Sequence, residues 1–523
     1  MAECTKPPMP GSGVCPGQTT GRGILDDAVA LVRGDRFLSY DFNSSTLTNS
    51  GVTKLGDLPG GAYGGMLPRL IFNGLPFSFT GTSNYALLPF YTPKAVKGIL
   101  NGNGVIDQYD LQRPPKDVSP AVVYTEEGCR SIFTDRKSFY ASYAEPKVLQ
   151  RIFYEDRFEA HVFQFFRAHA AKQINESSLR YAGTRRAIDI VRDVANITPI
   201  AWLADRYGLP LKTPNTPRGI FTVPDLLKIC KIIAAHQDFD LIPSNEWQLR
   251  VGAQKGVAAL RQIIELHIKI QGGGGLRESI ADHLEAGTAF EVRPDADRLY
   301  DALFAAKRTH SELVDECISH AASLGSTLTH QAALLIDLFL SPGYEAYKAR
   351  IVELSQNDDE ASARELHGFV YEGMRHTGVR SSPGVTRTAS RDAVIIDGVH
   401  GAVTIRAHHK ILAATAAAAM DPAAFPAPEM LDPGRARESY ATILGPSLLR
   451  VVGPALAAIL SEVFKLKNVR RARGNAGQYA TVEQDFAGIR MRRYLDSNAR
   501  ESSWPTNLML EYDEVDVQIN GKT

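Results

Sequence analysis

Cysteine is scarce and scattered: the 523-residue chain has five, at positions 4, 15, 129, 230 and 317. The odd number, the wide spacing and the lack of any CxxC pair exclude a disulfide framework and a zinc ribbon. Long apolar runs are missing too, so no helix is expected to span a bilayer. There is no surplus charge of either sign, because 58 Lys and Arg balance 58 Asp and Glu. A protein that coats nucleic acid needs a basic surplus, so nucleic acid is not an expected partner. The first twenty residues hold Pro, Gly, Thr and Cys without an apolar stretch. They do not read as a secretory signal, and the expected location is intracellular and cytoplasmic.

Three familiar catalytic signatures are absent: HExxH, GxSxG, and GxGxxG behind a strand. The four-glycine run Gly272–Gly275 has no GK[ST] after it. It therefore reads as a flexible loop and not as a phosphate cradle. Arg33-Gly34-Asp35 reads as a solvated turn.

Residues 1–23 are rich in Gly, Pro, Thr and Ser and predict a disordered start. Residues 24–116 are dense in Gly, Pro and aromatics, with Gly60-Gly61, Gly64-Gly65 and Pro114-Pro115 as breaks. Such a segment has little helix of its own. The character changes near residue 117. Phe158, Val162, Phe165, Phe166 and His169 recur at three- and four-residue spacing, which predicts a helix over 155–173. Further helices are predicted over 187–205, 223–236, 254–270, 311–340, 344–355 and 453–464, with another starting near Ser362. Short strands are predicted at Ala393–Ile396 and Ala402–Ile405, so small sheets are expected late in the chain.

One constellation stands out. Glu372 and Arg375 lie three residues apart on a predicted helix, so they share a face and can pair. About 46 residues later comes Asp421-Pro422-Ala423-Ala424-Phe425-Pro426-Ala427-Pro428-Glu429-Met430-Leu431-Asp432-Pro433-Gly434-Arg435. Its prolines impose an extended, meandering backbone with few internal hydrogen bonds. Arg435 at its end can join the Glu372–Arg375 pair and pin the meander to the helix.

This ExxR pair, followed by a DPxxFPxPxxFxPxR-like meander, resembles the cytochrome P-450 superfamily. Met430-Leu431 stands where the family usually carries an aromatic. Other stretches narrow the likeness: Leu31-Val32-Arg33-Gly34-Asp35-Arg36-Phe37, Ile71-Phe72-Asn73-Gly74-Leu75-Pro76, Tyr85 to Pro93, Asp107 to Leu111, Ile190 to Val194, and Lys467 to Arg471. Together they resemble the rear of the fungal fatty-acid oxygenases called linoleate diol synthases and psi-factor-producing oxygenases, from about residue 24 to 515. The resemblance implies a mainly α fold with small β-sheets. It also implies three parts: a disordered start (1–23), a remnant and junction of a haem-peroxidase-like dioxygenase domain (24–116), and a P-450-like domain (117–523).

In that family the peroxidase-like half adds dioxygen to an unsaturated fatty acid. The P-450-like half isomerises the hydroperoxide, with haem as cofactor. The resemblance thus implies a fatty acid or its hydroperoxide as partner, and possible assembly as a homo-oligomer. The P-450 chemistry needs a cysteine thiolate on iron, in a Gly-rich loop before a long apolar helix. Counting forward from Gly445-Pro446 puts the ligand at Leu449, whereas counting back from Gly453 puts it at Val451. Neither is cysteine, and no cysteine follows Cys317. His400, His408 and His409 are the nearest imidazoles in sequence.

The helix predicted over 311–340 corresponds to the distal helix, where the family tends to carry an Asn and a Gln that steer the hydroperoxide. Alignment on Asp337–Ser341 places Thr327 and His330 there as candidates. Thr donates a hydrogen bond, and His donates, accepts or titrates. A His on an apolar helix is also commonly a satisfied core or surface residue. Arg387 is a candidate donor to a haem propionate, with a solvated loop arginine as the other reading. Three functions follow: a haem-dependent oxygenase, a non-catalytic P-450-like module that binds lipid or a partner, or a piece of a longer dioxygenase. The empty ligand position predicts that thiolate-dependent isomerisation is lost.

Overall fold

The computed structural model describes residues 105–106, most of 121–140, most of 157–239, 252–265, part of 299–303 and most of 309–514. The 24–116 segment, Gly272–Gly275, His400, His408 and His409 therefore lie outside the described residues, apart from the short strand at 105–106. The described chain groups into two compact units, one containing Leu203–Ser323 and the other Phe153–Trp202 and Leu324–Thr523.

The first elements are β1 (Val105–Ile106), β2 (Ala121–Val123), α1 (Glu126–Thr134) and β3 (Phe139–Tyr140). Thr125 starts α1 because its hydroxyl accepts from the Gly128 amide, and Glu126 and Glu127 complement the positive end of the helix. Then come α2 (Phe158–Ser177), β4 (Leu179–Ala182), β5 (Arg185–Asp189), a π turn at Val191–Ala195, and α3 (Ile197–Arg206).

Here the sequence expectation needs correcting, since a helix was predicted across 187–205. Residues 185–189 are a strand that pairs antiparallel with a partner at 509–513. The Asp189 carboxylate explains the switch. It accepts from the amide of Arg192 and from that of Leu508, both at 3.1 Å. One carboxylate thus ends the strand, opens the next turn and stitches in a segment over 300 residues away.

The chain continues through α4 (Val223–Phe239), α5 (His310–Phe339), α6 (Glu345–Ser355) and α7 (Glu360–Ser381). Asp359 caps α7 by accepting from the Ser362 amide at 2.8 Å. Strands β6 (Val385–Ala389), β7 (Ala393–Asp397), β8 (Gly401–Ile405) and β9 (Lys410–Ala413) follow. After α8 (Thr415–Ala418) and the meander come a 3-10 turn at Arg437–Tyr440, α9 (Ala441–Leu444) and α10 (Pro446–Phe464). The end of the chain supplies β10 (Arg470–Arg471), β11 (Thr481–Phe486), β12 (Ile489–Leu495), β13 (Glu501–Ser502) and β14 (Met509–Asp513).

Three small sheets and a hairpin form, in the orders β1-β2-β9-β6-β3, β10-β14-β5-β4, β11-β12-β13 and β7-β8. The predicted strands at 393–396 and 402–405 are the hairpin. Sheets are not confined to the late chain, however, because β1 to β5 precede residue 190. These early strands have two to five residues each. Runs that short carry little periodicity, and their partners are remote in sequence.

In the second unit α10 is the centre. It packs against α2, α6 and α7. Val451 through Leu460 are all buried, which accounts for a helix that is apolar on every side. In the first unit the corresponding core holds a polar pair. The Tyr207 hydroxyl lies 2.7 Å from His320 Nδ1, and the Tyr300 hydroxyl donates to the Tyr207 carbonyl at 2.9 Å.

Three histidines are held in neutral form, His320 buried and His169 and His367 half-buried. Burial pushes His320 down to about 3 and both His169 and His367 down to about 4. Unfolding restores the ordinary value near 6.5, so below that pH the unfolded chain binds more protons than the folded one. Stability is therefore expected to fall as the pH drops from about 6.5 to about 4. Urea midpoints measured across that range test this, and a midpoint that stays level contradicts it.

Candidate functional site: the Glu372–Arg375 cluster, α5 and the start of α10

Glu372 and Arg375 sit on one face of α7, and neither side chain is exposed at all. Arg375 donates from two nitrogens to the two carboxylate oxygens, each at 2.8 Å. Its remaining donors reach the Ala419 carbonyl just before the meander at 3.2 Å and, within it, Pro428 O at 2.6 Å and Met430 O at 2.9 Å. Glu372 in turn accepts from the Asp432 amide at 2.8 Å and the Tyr440 hydroxyl at 2.7 Å. Arg435 Nε lies 3.5 Å from the same carboxylate, while its Nη2 donates to Pro426 O at 2.7 Å. The three residues singled out from sequence thus meet. A proline-rich segment has few partners for its carbonyls, and a buried guanidinium supplies the donors.

Burial works against the charge on Glu372. The bonds from Arg375, the Asp432 amide and Tyr440 outweigh it, so the carboxyl is held below its ordinary value. Gly368 permits the approach, because a Cβ there would lie 2.0 Å from the Pro433 carbonyl oxygen. Tyr440, not singled out from sequence, extends the cluster. Its ring stacks on Tyr371 at 5.2 Å and lies 5.9 Å from Phe425. The Arg375 guanidinium sits 5.2 Å from the Phe425 ring centre, within cation–π range.

Leu449 belongs to the same aromatic cluster as Tyr371, Phe425 and Tyr440. Both Leu449 and Val451 are buried, and both lie inside α10. The predicted helix over 453–464 therefore starts earlier than expected, at Pro446. Proline is favoured at the first helical position, since its missing N–H is one a helix start leaves unbonded. The Tyr371 hydroxyl donates to the Leu449 carbonyl at 2.9 Å. A Cβ on Gly453 would fall 2.2 Å from that hydroxyl oxygen, so glycine is required for this contact. Burial pushes Tyr371 up to about 12, which keeps it a neutral donor. Between the two buried positions, Arg450 donates to Glu159 of α2 at 2.7 Å. Arg437 donates to the same carboxylate at 3.1 Å.

On α5, Thr327 and His330 are three apart and share a face; both are half-buried. The His330 ring lies 6.2 Å from the Trp504 ring. Gln331, next to it, was passed over in the sequence alignment. Its amide oxygen accepts from the Thr377 hydroxyl of α7 at 3.0 Å. Arg387 lies on β6 in the five-stranded sheet, with its guanidinium 5.2 Å from the Phe133 ring centre of α1. The described cysteines are free thiols, all buried. Cys129 donates to the Val123 carbonyl at 3.3 Å, burial pushes Cys230 up to about 12, and burial raises Cys317 as well. Among the described residues no group of three His, Cys, Asp or Glu is placed to hold a metal ion. No described helix is long and apolar enough to cross a membrane.

The fold is that of the cytochromes P-450. A Mycobacterium smegmatis enzyme, CYP164A2, superposes with a TM-score of 0.51 over 81% of this chain and 99% of its own, at 16% identity. The P450 EryK of S. erythraea gives 0.52 over 82% and 97%, at 13% identity. No protein-family profile matches the chain. Its sequence relatives are fungal. Psi-producing oxygenase A of Emericella nidulans is 28% identical over 90% of this chain and 46% of that protein. A bifunctional dioxygenase–epoxy alcohol synthase of Fusarium oxysporum is 27% identical over 92% and 40%. The 7,8-linoleate diol synthase of Pyricularia oryzae is 23% identical over 98% and 54%. The chain is thus a homologue of the fungal linoleate diol synthases and psi-producing oxygenases, and it spans about half the length of these relatives.

Replacing Glu372 with Gln leaves the Arg375 charge buried without its counter-charge. The expected loss of folding stability is about 3–5 kcal/mol, the range for breaking a buried pair from one side. Equilibrium urea unfolding of the variant measures it, and a loss below about 1 kcal/mol contradicts the central position given to this pair.

Proposed function

We propose that this chain is a P-450-like module of a fatty-acid oxygenase lineage that has lost thiolate-dependent hydroperoxide isomerisation while keeping the fold. Its ligand class is a fatty acid or fatty-acid hydroperoxide. The observation that carries this reading is the chemistry at the aligned ligand positions: Leu449 and Val451 are buried hydrocarbon with no lone pair for iron. A haem thiolate, where present, supplies the electron donation that favours O–O cleavage. The residues here do not fit that group. The aligned positions lack sulfur, and the three described thiols are buried; Cys230 and Cys317 have raised pKa values and Cys129 is bonded to a strand carbonyl. A buried, protonated thiol is a poor metal ligand.

The lipid side of the proposal rests on α5. Thr327 and His330 share a half-buried face and offer a hydroxyl and an imidazole to a polar group on an otherwise apolar ligand. Gln331 is turned to Thr377 and is assigned a structural part. Arg387 remains the candidate charged donor to a carboxylate or propionate. The retained Glu372–Arg375–meander cluster favours a fold kept for binding, since that cluster is structural and not chemical. The relatives' names describe oxygenase and synthase activities of proteins about twice as long as this chain.

The test is an absorption spectrum of the purified chain expressed with haem supply, reduced under carbon monoxide, followed by assay with a fatty-acid hydroperoxide. The expected result is no band at about 450 nm and no turnover. A band there, or isomerisation of the hydroperoxide, overturns the proposal. Binding of a fatty acid, read by quenching of Trp504 fluorescence, is expected to weaken in Thr327→Ala and His330→Ala by roughly threefold to tenfold each.

A further inference from the structure

The aligned ligand positions carry hydrocarbon, and they also lie in an unexpected backbone conformation. We infer that the ligand segment is closed as well as emptied: residues 446–453 are the opening turns of α10, clamped by Tyr371, so a cysteine restored at 449 or 451 would not present its sulfur to haem. This rests on the alignment used in the proposed function and goes one step further. A lost ligand is a substitution, which one codon reverses. A closed segment is a change of backbone, which one codon does not reverse.

Four observations support closure. The helix begins at Pro446, so Leu449 and Val451 both fall within its first two turns. A sulfur anion needs N–H groups aimed at it. In a helix the N–H groups beyond the fourth residue are bonded to carbonyls one turn back, and Pro454 has none to offer. No amide after Val451 is therefore available to a thiolate at that position. Leu449 starts closer to the free N–H groups, but its side chain is packed among Tyr371, Phe425 and Tyr440.

The clamp is the second observation. Tyr371 reaches from α7, donates to the Leu449 carbonyl at 2.9 Å, and lies against Gly453 so closely that a single added carbon would collide at 2.2 Å. One phenol thus touches the segment at both ends of a helical turn. Third, Arg450, between the two positions, is tied at 2.7 Å to Glu159 on α2. Rotating Leu449 or Val451 toward another face would break that ion pair. Fourth, Tyr371 adjoins Glu372, the carboxylate that holds the meander, and stacks on Tyr440, which donates to that carboxylate. The clamp is therefore joined directly to the Glu372–Arg375 cluster.

Hydrogen–deuterium exchange on the purified chain tests closure without any haem. Amides 450–453 are expected to exchange as slowly as those of 455–463. Exchange there as fast as at exposed Glu429 and Ala436 overturns the inference. In Tyr371→Phe the 450–453 amides are expected to exchange roughly fivefold faster, with 455–463 unchanged; an unchanged rate removes the clamp. Leu449→Cys and Val451→Cys, expressed with haem supply and checked for fold by circular dichroism, are expected to show no band at about 450 nm when reduced under carbon monoxide. A band in either variant, absent from the unsubstituted chain, overturns closure and leaves the proposed function standing. A band in the unsubstituted chain overturns the proposed function itself. If neither variant folds, the exchange measurements decide.

Discussion

A guanidinium with no exposed surface organises the second unit. Arg375 pairs with Glu372 through two bonds and gives its remaining donors to two carbonyls of the meander and to the Ala419 carbonyl just before it. The meander has prolines at 422, 426, 428 and 433, and none of these has an N–H to give. Irregular backbone of this kind folds only where an outside donor fixes its carbonyls, and a planar fork of N–H groups does so in several directions at once. A buried pair of this sort adds little net stability over an apolar core. Its effect is to choose one path for a segment that has no ladder of its own. From there the constraint passes through Tyr440 and Tyr371 to Leu449 and the start of α10.

Much of this was legible in the sequence because it rests on short spacing. Glu372 and Arg375 are one helical turn apart, the prolines announce the meander, and Arg435 stands at its end. The apolar run after Gly453 predicts a helix, and the stretch of α10 from Val451 to Leu460 is buried on every side. What the sequence hides is of two kinds. Remote pairing is one: β5 is a strand because β14 lies beside it, and Asp189 bonds to an amide at 508. Nothing within the 187–205 window carries that information. Close approach is the other. Gly453 reads as an ordinary glycine until the Tyr371 hydroxyl is seen against it, and Tyr440 reads as an ordinary aromatic until its bond to Glu372 is seen.

Pro446 shows how one residue supports two readings. After glycine, a proline suits a loop, and the family resemblance favours a loop there. Proline also suits the first position of a helix, where φ is already set and the missing N–H is not needed. Local chemistry does not choose between the two. The surroundings do: the residues after Pro446 meet α7 on one side, through Tyr371, and α2 on another, through Glu159. Buried backbone must bond its own polar groups, and a helix does so with no outside partner beyond its first turn.

The two halves of the signature differ in what they tolerate. Glu372 and Arg375 are charged and fully buried, so changing either one alone strands the other at a cost of several kcal/mol. A cysteine among aromatics and aliphatics is under no such restraint. It behaves as a small hydrophobe, and replacing it with Leu or Val adds apolar area in an apolar place. The ion pair therefore resists loss for reasons of folding alone, whereas a ligand cysteine resists loss only through the chemistry it performs. A chain with Glu372, Arg375 and Arg435 in contact and with Leu449 and Val451 in a continuous helix is what this asymmetry would produce under the proposed loss of the thiolate. The same reasoning bears on the start of α10. The segment at 446–453 is enclosed by α7, through Tyr371, and by α2, through Glu159, and a helix begun at Pro446 satisfies its backbone within that enclosure.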